Sequence, residues 1–256
     1  MAPQPECGPP EVTVANALLS GLNDLSSRAG HDLLGPLNQA ASLLALFLKR
    51  QGDSPDARAD TLLEFLQSSS IRIESVLAGF RRYLEIASTP PSFEAVDLNA
   101  SLAASVALLE KEIAESRAVV AVGQLPVVSA DSAQTVAIFE ILIGNAIKFR
   151  RPEVPPRIQV SLIRKGGLQS ISIADNGIGI DPEYAETAFL PFKRLNGAQY
   201  PGAGLGLSVA KLIAEMHGGQ IRISPEQKRH PGGTEVLFTV RPASSLSNPP
   251  RRFSYY

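Results

Sequence analysis

Apolar residues in the first third of the chain recur every three or four positions, which predicts two long amphipathic helices. The first apolar stripe runs through Val14, Leu18, Leu22, Leu25, Ala29, Leu33, Leu37, Ala40, Leu44 and Phe47. The second runs through Leu62, Leu63, Phe65, Leu66, Ile73, Leu77, Phe80 and Leu84. Pro36 removes one backbone donor from the first helix, so we expect a bend between Leu33 and Pro36 without a full break.

The segment Gln51 to Pro55 contains glycine, aspartate, serine and proline, which predicts a turn between the two helices. Residues 11–88 are therefore interpreted as a helical hairpin. One hairpin leaves much of both apolar stripes facing water, and pairing with a second copy would cover them. We expect a homodimer held together by a four-helix bundle. Pro90 and Pro91 cannot continue a helix, so residues 89–92 are assigned as a linker.

Residues 93–243 alternate between helical and strand periodicity, which predicts an α/β sandwich with helices on one face of a mixed sheet. The predicted helices are Leu98 to Arg117 and Asp131 to Arg150. The predicted strands are Val119 to Val122, Ile158 to Arg164, Gln169 to Ala174, Gln220 to Ile223 and Val236 to Arg241. Residues 1–10, with four prolines, and residues 244–256, rich in serine and proline, are interpreted as disordered tails.

The composition limits which binding partners and which cellular compartment are expected. Lysine and arginine total 24 against 25 aspartates and glutamates, a balance that gives no general attraction to nucleic acid or to anionic lipid. The single cysteine, Cys7, excludes an internal disulfide framework and a multi-cysteine zinc site, and it favours a reducing cytoplasm. No apolar run approaches the ~18 residues of a spanning helix, and the first residues lack a secretory signal pattern. We expect a cytoplasmic protein without a membrane span.

Three short patterns in the second domain have the chemistry of a nucleotide site. Asp175 to Gly179 follows a predicted strand, where a carboxylate can accept from the exocyclic amine of adenine and glycines allow close approach. Gly202 to Leu207 opens a helix that is predicted to run to His217, so its free amides can bind phosphate oxygens. Asn145 and Lys148 share one face of a helix and offer an amide oxygen for Mg²⁺ and an ammonium for phosphate.

Each pattern also has an ordinary structural explanation. A DxGxG string can be a simple exit from a strand, a glycine-rich helix start can be a cap or a linker, and an Asn–Lys pair can be a solvated helix face. Their order within one domain favours a shared nucleotide site.

The same segments carry a family resemblance. Asn145-Ala146-Ile147-Lys148-Phe149, Asp175 to Gly179, Phe189-Leu190-Pro191-Phe192 and Gly202 to Leu207 resemble the N box, first glycine box, F box and second glycine box of two-component sensor histidine kinases, whose ATP-binding domain has the Bergerat, or GHKL, fold. Gly30 to Leu37 resembles the phosphoacceptor box of their dimerisation hairpin. The resemblance covers residues 25 to 240.

The resemblance implies ATP and Mg²⁺ as cofactors, with Asn145 as a magnesium ligand, Asp175 reading adenine and Arg194 reaching the terminal phosphate. It implies nucleotide-binding positions in all of these boxes: Asn145, Lys148, Asp175, Gly177, Gly179, Arg194, Gly202, Gly204, Leu205, Gly206 and Leu207. The stretch from Arg194 to Tyr200 is expected to act as a mobile lid.

His31 is the candidate phosphoacceptor. Among the three histidines, His217 precedes Gly218-Gly219 at a predicted helix end and His230 falls in a predicted loop, whereas His31 has Asp32 beside it. An outward imidazole nitrogen can attack an in-line phosphorus while Asp32 takes the other ring proton or fixes the tautomer. We therefore expect autophosphorylation on His31 and transfer to an aspartate of a separate response-regulator receiver domain.

The chain departs from the family pattern at several positions. Leu34 stands where the family usually has Arg or Lys, and Gly35 where many members have Thr or Asn, so phosphatase activity toward the receiver is in doubt. Ile141 replaces a polar residue one helical turn before Asn145, which would weaken kinase activity. Ala203 replaces Thr or Ser, with a small expected effect because backbone amides bind the phosphates.

Two other functions are compatible with parts of the sequence. The departures fit a dimeric scaffold that binds nucleotide weakly or not at all and docks a receiver or another kinase. A GHKL-type ATPase without a histidine acceptor would leave the hairpin motif unexplained. No segment resembles a sensor, so we expect input from a separate sensor protein, from a missing sensor segment or through the hairpin itself.

Overall fold

The structure, a computed structural model, describes residues 35, 39–40, 42–43, 55–195, 200, 202–224 and 232–243. The described residues up to 43 are helical, within the first predicted helix. The predicted bend at Pro36, the candidate phosphoacceptor His31 and the neighbouring Asp32 lie outside the described residues. So do both predicted tails, and the bundle and its dimer stay predictions.

The helices and strands alternate along the rest of the chain. The helices are α1 (Pro55–Ser88), α2 (Leu98–Leu108), α3 (Glu110–Ser116), α4 (Ser132–Lys148) and α5 (Gly206–Met216). The strands are β1 (Glu94–Asp97), β2 (Val119–Val122), β3 (Val127–Ala130), β4 (Arg157–Lys165), β5 (Leu168–Asp175), β6 (Ile221–Ile223) and β7 (Glu235–Val240). None of the helices in these ranges is both long and apolar enough to cross a membrane.

A five-stranded mixed sheet carries the domain, in the order β2-β4-β5-β7-β6. Strand β2 runs parallel to β4, and the other neighbours are antiparallel. Ile171 of β5 pairs with Phe238 of β7, and both are buried in the core formed with α2, α4 and α5. Phe139 of α4 meets the Phe238 ring edge-on at 5.8 Å. The predicted α/β sandwich is confirmed.

The structure corrects the predicted helix from Leu98 to Arg117. It is two helices, α2 and α3, separated at Leu109 (φ −102°, ψ 14°). The break lets Leu109 turn inward, where it is buried beside Gly144 of α4, whereas Leu108 is 63% exposed. Burial of one leucine side chain is worth about 2 kcal/mol, enough to override a continuous helical pattern. Arg117 ends α3 in the left-handed conformation (φ 54°).

A second, two-stranded sheet was not predicted. Strand β1 pairs antiparallel with β3, with Val96 opposite Val128 and both side chains buried. Each strand has four residues, too few for a clear alternation of apolar and polar positions.

The last turns of α1 pack with the sheet domain. The compact unit that contains the sheet runs from Ser75 to Pro249, so it begins earlier in the chain than the predicted linker at residues 89–92. Within this unit Arg82 makes a two-pronged ion pair with Glu140 of α4, at 2.7 and 3.4 Å. Burial and nearby Glu215 raise the pKa of Tyr83. The predicted domain boundary at residues 89–92 itself stays a prediction.

His217 holds the start of α4 to the end of α5. Its Nε2 accepts from the backbone N–H of Asp131 at 3.0 Å, so Nδ1 carries the proton and donates to Ile213 O at 2.8 Å. The ring also meets Phe93 edge-on at 5.3 Å. Burial lowers the pKa of His217, against smaller raising effects from Ile213 O and the Asp131 carboxylate.

We expect this contact to make stability depend on pH. Because the folded-state pKa of His217 lies below its unfolded value of about 6.5, its stabilisation is complete above that value and is lost as pH falls through the folded pKa. Replacement by glutamine should cost about 2 kcal/mol at pH 7.5, because the hydrogen bond from Nδ1 to Ile213 O and the ring contact with Phe93 are lost. Urea unfolding at pH 7.5 and pH 5 measures both effects. Equal pH dependence in wild type and His217→Gln would contradict this role.

Candidate functional site

A cavity with about 860 Å³ of empty space, including its mouth, opens where α4 ends, β5 ends and α5 begins. Its lining is mostly apolar with a few polar and charged groups, as is typical of small-molecule sites. Eight residues from all three predicted patterns and the lid line it: Asn145, Lys148, Asp175, Gly179, Arg194, Gly202, Gly204 and Leu207. The structure therefore brings together segments that are far apart in sequence.

Asp175 is held rigidly at one end of the cavity. Its Oδ1 accepts from the backbone N–H of Gly177 at 2.8 Å and of Thr234 at 3.1 Å. Gly177 is required here, because a Cβ would lie 2.5 Å from Phe149 O, and Gly179 has a φ of +79°. Asn176 instead binds backbone, accepting from Arg157 N and donating to Pro155 O. The carboxylate is thus a fixed acceptor facing the cavity.

Two cations also line the cavity. Burial, and then the positive charge of Arg194, lower the pKa of Lys148, whose Nζ lies 4.8 Å from the centre of the Phe149 ring. Gly202 passes so close that a Cβ there would lie 2.5 Å from this Nζ. Mutual repulsion of Lys148 and Arg194 would be relieved by an anion between them. The cavity therefore presents a carboxylate and a pair of cations to one ligand.

The start of α5 adds backbone donors. Leu205 is its N-cap, and no described side chain caps the helix through a hydrogen bond. Open amides at a positive helix end bind phosphate oxygens well. The Leu205 side chain is buried and contacts α1, where a Cβ at Gly79 would lie 3.0 Å from Leu205 Cδ1. Any role of Leu205 in nucleotide binding therefore falls to its backbone.

Asn145 is the predicted magnesium ligand. It lies on α4 beside the start of α5, since a Cβ at Gly206 would be 3.6 Å from its Nδ2 and 3.8 Å from its Oδ1. Ile141, one turn earlier, is buried and also touches Gly206, at 3.4 Å from the same Cβ position. In the described ranges, no group of three or more His, Cys, Asp or Glu side chains is placed to hold a metal. The amide oxygen fits magnesium that takes its other ligands from phosphates and water.

A hydrogen bond joins the two ends of the predicted lid to each other. Arg194 Nη2 donates to Tyr200 O at 2.8 Å. Phe192 is buried with a φ of 58°, a strained conformation for a bulky residue. Gly204 packs against this turn, because a Cβ there would lie 2.8 Å from Lys193 O. Residues 196–199 lie outside the described residues.

Sequence reasoning missed several residues at the cavity. Thr234 lines it, and Arg151 Nε donates to Gly177 O at 3.0 Å beside Gly232. Phe149 also lines it, although the sequence marked it only as the last residue of the N box. Tyr200 lines it as well, although the sequence marked it only as the end of the lid. The Gly232-Gly233 pair before a predicted strand was the one available signal for Thr234.

Comparisons with known proteins bear on the same residues. Residues 130–244 match the family described as histidine kinase-, DNA gyrase B- and HSP90-like ATPase. Cyanobacterial phytochrome A of Nostoc sp. is 34% identical over 213 residues, which is 83% of this chain and 27% of the relative. The swarming motility regulation sensor protein RssA of Serratia marcescens is 29% identical over 230 residues, 84% of this chain and 47% of the relative. Residues 130–244 therefore belong to this ATPase family, and the chain is similar to sensor histidine kinases over most of its length.

Solved structures of the family share the fold. The histidine kinase ThkA in complex with the response regulator protein TrrA has a TM-score of 0.65 at 20% identity, over 88% of this chain and 63% of that one. Full-length ShkA in complex with AMPPNP has a TM-score of 0.55 at 21% identity, over 85% of this chain and 45% of that one. The chain spans less than a third of the phytochrome and less than half of RssA.

Proposed function

We propose that this chain is the core of an ATP-dependent protein-histidine kinase, which phosphorylates its own His31 and passes the phosphoryl group to an aspartate of a response regulator. The observation that supports it best is the cavity between α4, β5 and α5. It brings a fixed carboxylate, two cations and a helix start to one cavity, which matches the amine and the phosphates of ATP.

The described residues of the cavity would bind and orient the nucleotide. Asp175 accepts from the exocyclic amine of adenine, and the two amides on its Oδ1 keep the carboxylate from turning away. Lys148, Arg194 and the α5 amides neutralise charge on the phosphates, and phosphoryl transfer depends mainly on such positioning and neutralisation. Magnesium, held by Asn145, would supply further charge neutralisation at the phosphates.

His31 would be the nucleophile. One ring nitrogen forms a bond to the γ-phosphorus as the bond from that phosphorus to the bridging β–γ oxygen breaks, and ADP leaves. Asp32 takes the proton from the other ring nitrogen or fixes its tautomer. Both residues lie on the predicted first helix, outside the described residues.

The proposed assembly is a homodimer through a four-helix bundle, in the cytoplasm, with input from a separate sensor protein or a further sensor segment. The receiver partner is supported by the ThkA structure, which is a complex with a response regulator. Nucleotide binding is supported by the ShkA structure, which contains AMPPNP.

A nucleotide-binding scaffold is the second candidate, and one contact favours it. Ile141 is buried against Gly206 beside Asn145, so this turn of α4 offers an apolar side chain where another magnesium-shell group would help. Leu34 and Gly35, which stand where the family has residues linked to phosphatase activity, also favour the scaffold.

Incubation with γ-labelled ATP and Mg²⁺, followed by addition of a candidate receiver domain, tests the proposal. We expect acid-labile, base-stable label on the chain, as for a phosphorus–nitrogen bond, which then moves to the receiver. Nucleotide binding without label would support the scaffold instead. Release of phosphate without label on the protein would indicate a simple ATPase.

A further inference from the structure

An aromatic pair forms one wall of the cavity. The rings of Tyr200 and Phe149 lie 5.1 Å apart at an interplanar angle of 54°, and both residues line the cavity. The backbone of Tyr200 is fixed independently of this contact, because its carbonyl accepts from Arg194 Nη2. The position of the tyrosine is thus set by one backbone contact and one side-chain contact.

The pair lies near both the loop that follows Asp175 and Lys148, whose Nζ is 4.8 Å from the centre of the Phe149 ring. Phe149 O accepts from Ile178 N at 3.0 Å and lies against Gly177, so the phenylalanine borders the loop that follows Asp175. Two residues after Tyr200, Gly202 lies against Lys148 Nζ. Phe149 therefore borders both the loop where the proposed base would lie and the ammonium that would meet the phosphates, and the Tyr200 ring packs on it.

We propose that Tyr200 is a nucleotide-binding residue that packs its ring on the base or ribose of the bound adenine nucleotide, with Phe149 behind it. This inference rests on the proposed ATP binding. Stacking of an aromatic side chain on a base adds affinity through the π face that every base has. Selection of adenine then belongs to Asp175, and Tyr200 supplies affinity that depends on the presence of a base.

Calorimetric titration of ADP and of inorganic tripolyphosphate into wild type, Tyr200→Ala, Tyr200→Phe and Tyr184→Ala tests this. Tyr184 is the matched control, because it is 43% exposed and does not line the cavity. We expect about tenfold weaker ADP binding for Tyr200→Ala and less than a twofold change for the other two variants. Tripolyphosphate, which lacks a base, should bind Tyr200→Ala and wild type equally.

Other results would overturn the assignment. Unchanged ADP affinity of Tyr200→Ala would contradict the proposed contact with the nucleotide. Equal losses of affinity for ADP and for tripolyphosphate would mean that Tyr200 supports only the binding of phosphates. A Tyr200→Phe loss as large as that of Tyr200→Ala would assign the effect to the hydroxyl. Failure of wild type to bind ADP would instead defeat the proposed function, and this inference with it.

A fluorescent variant gives a second measurement. The chain has no tryptophan, so Tyr200→Trp introduces a single reporter whose ring keeps the stacking surface. We expect its emission to change on saturation with ADP and to stay unchanged with tripolyphosphate. If Tyr200→Trp binds ADP and its emission does not change, the proposed contact is contradicted.

Discussion

Replacing Asp175 with asparagine should weaken ADP and ATP binding about 100-fold and abolish phosphorylation, while the domain stays folded. The carboxylate oxygen of Asp175 accepts from two backbone amides, and the charge strengthens each bond to it and to the adenine amine. Asparagine removes the charge and brings an NH₂ group that repels another donor. Losing about 3 kcal/mol of charge-assisted hydrogen bonding corresponds to this decrease. Calorimetric titration of ADP measures it.

Asp181→Asn is the matched control. Asp181 also accepts from a backbone amide, that of Glu183 at 2.9 Å, but it is exposed and does not line the cavity. We expect its ADP affinity to stay within twofold of wild type. Equal affinities for Asp175→Asn and wild type would contradict the assignment of Asp175 to the base.

Replacing His31 with glutamine should eliminate protein-bound label from γ-labelled ATP, with ADP affinity within twofold of wild type. The imidazole supplies the nucleophilic nitrogen, and the glutamine amide nitrogen has its lone pair delocalised into the carbonyl, so it does not attack phosphorus. The nucleotide cavity is formed by residues far along the chain from position 31. Acid-labile label counted after gel separation measures the first effect, and titration of ADP measures the second.

His230→Gln is the control for this substitution, since it removes one of the other two histidines. We expect it to retain label at the wild-type level. Label that persists in His31→Gln and disappears in His230→Gln would move the acceptor to the other residue. Combined with the Asp175 variant, the experiment separates loss of the acceptor from loss of the nucleotide.

Much of the sandwich could be predicted because its central elements have strong patterns. Helix α4 and strands β4, β5 and β7 lie within one or two residues of their predicted bounds, since each contains several buried apolar residues. The three nucleotide patterns could be found because glycine and a carboxylate at strand exits and helix starts have few substitutes.

The missed features depend on contacts between distant segments. The break at Leu109 follows from a pocket beside Gly144 that exists only once α4 is in place. The backbone N–H of Thr234 donates to Asp175 between two paired strands, and Tyr200 packs on Phe149 in the wall of the cavity. No local periodicity marks such residues, because each is placed by the chain that folds against it.

The packing of α1 has a practical consequence for dissecting the molecule. A recombinant fragment that begins at Phe93 would lack Arg82, the ion-pair partner of Glu140. It would also lack Gly79, against which the Leu205 side chain packs. Such a fragment would lose support on the same loop that is meant to hold phosphate. A nucleotide-domain fragment should therefore start upstream of Ser75. Weak nucleotide binding by a shorter fragment would result from the loss of the end of α1.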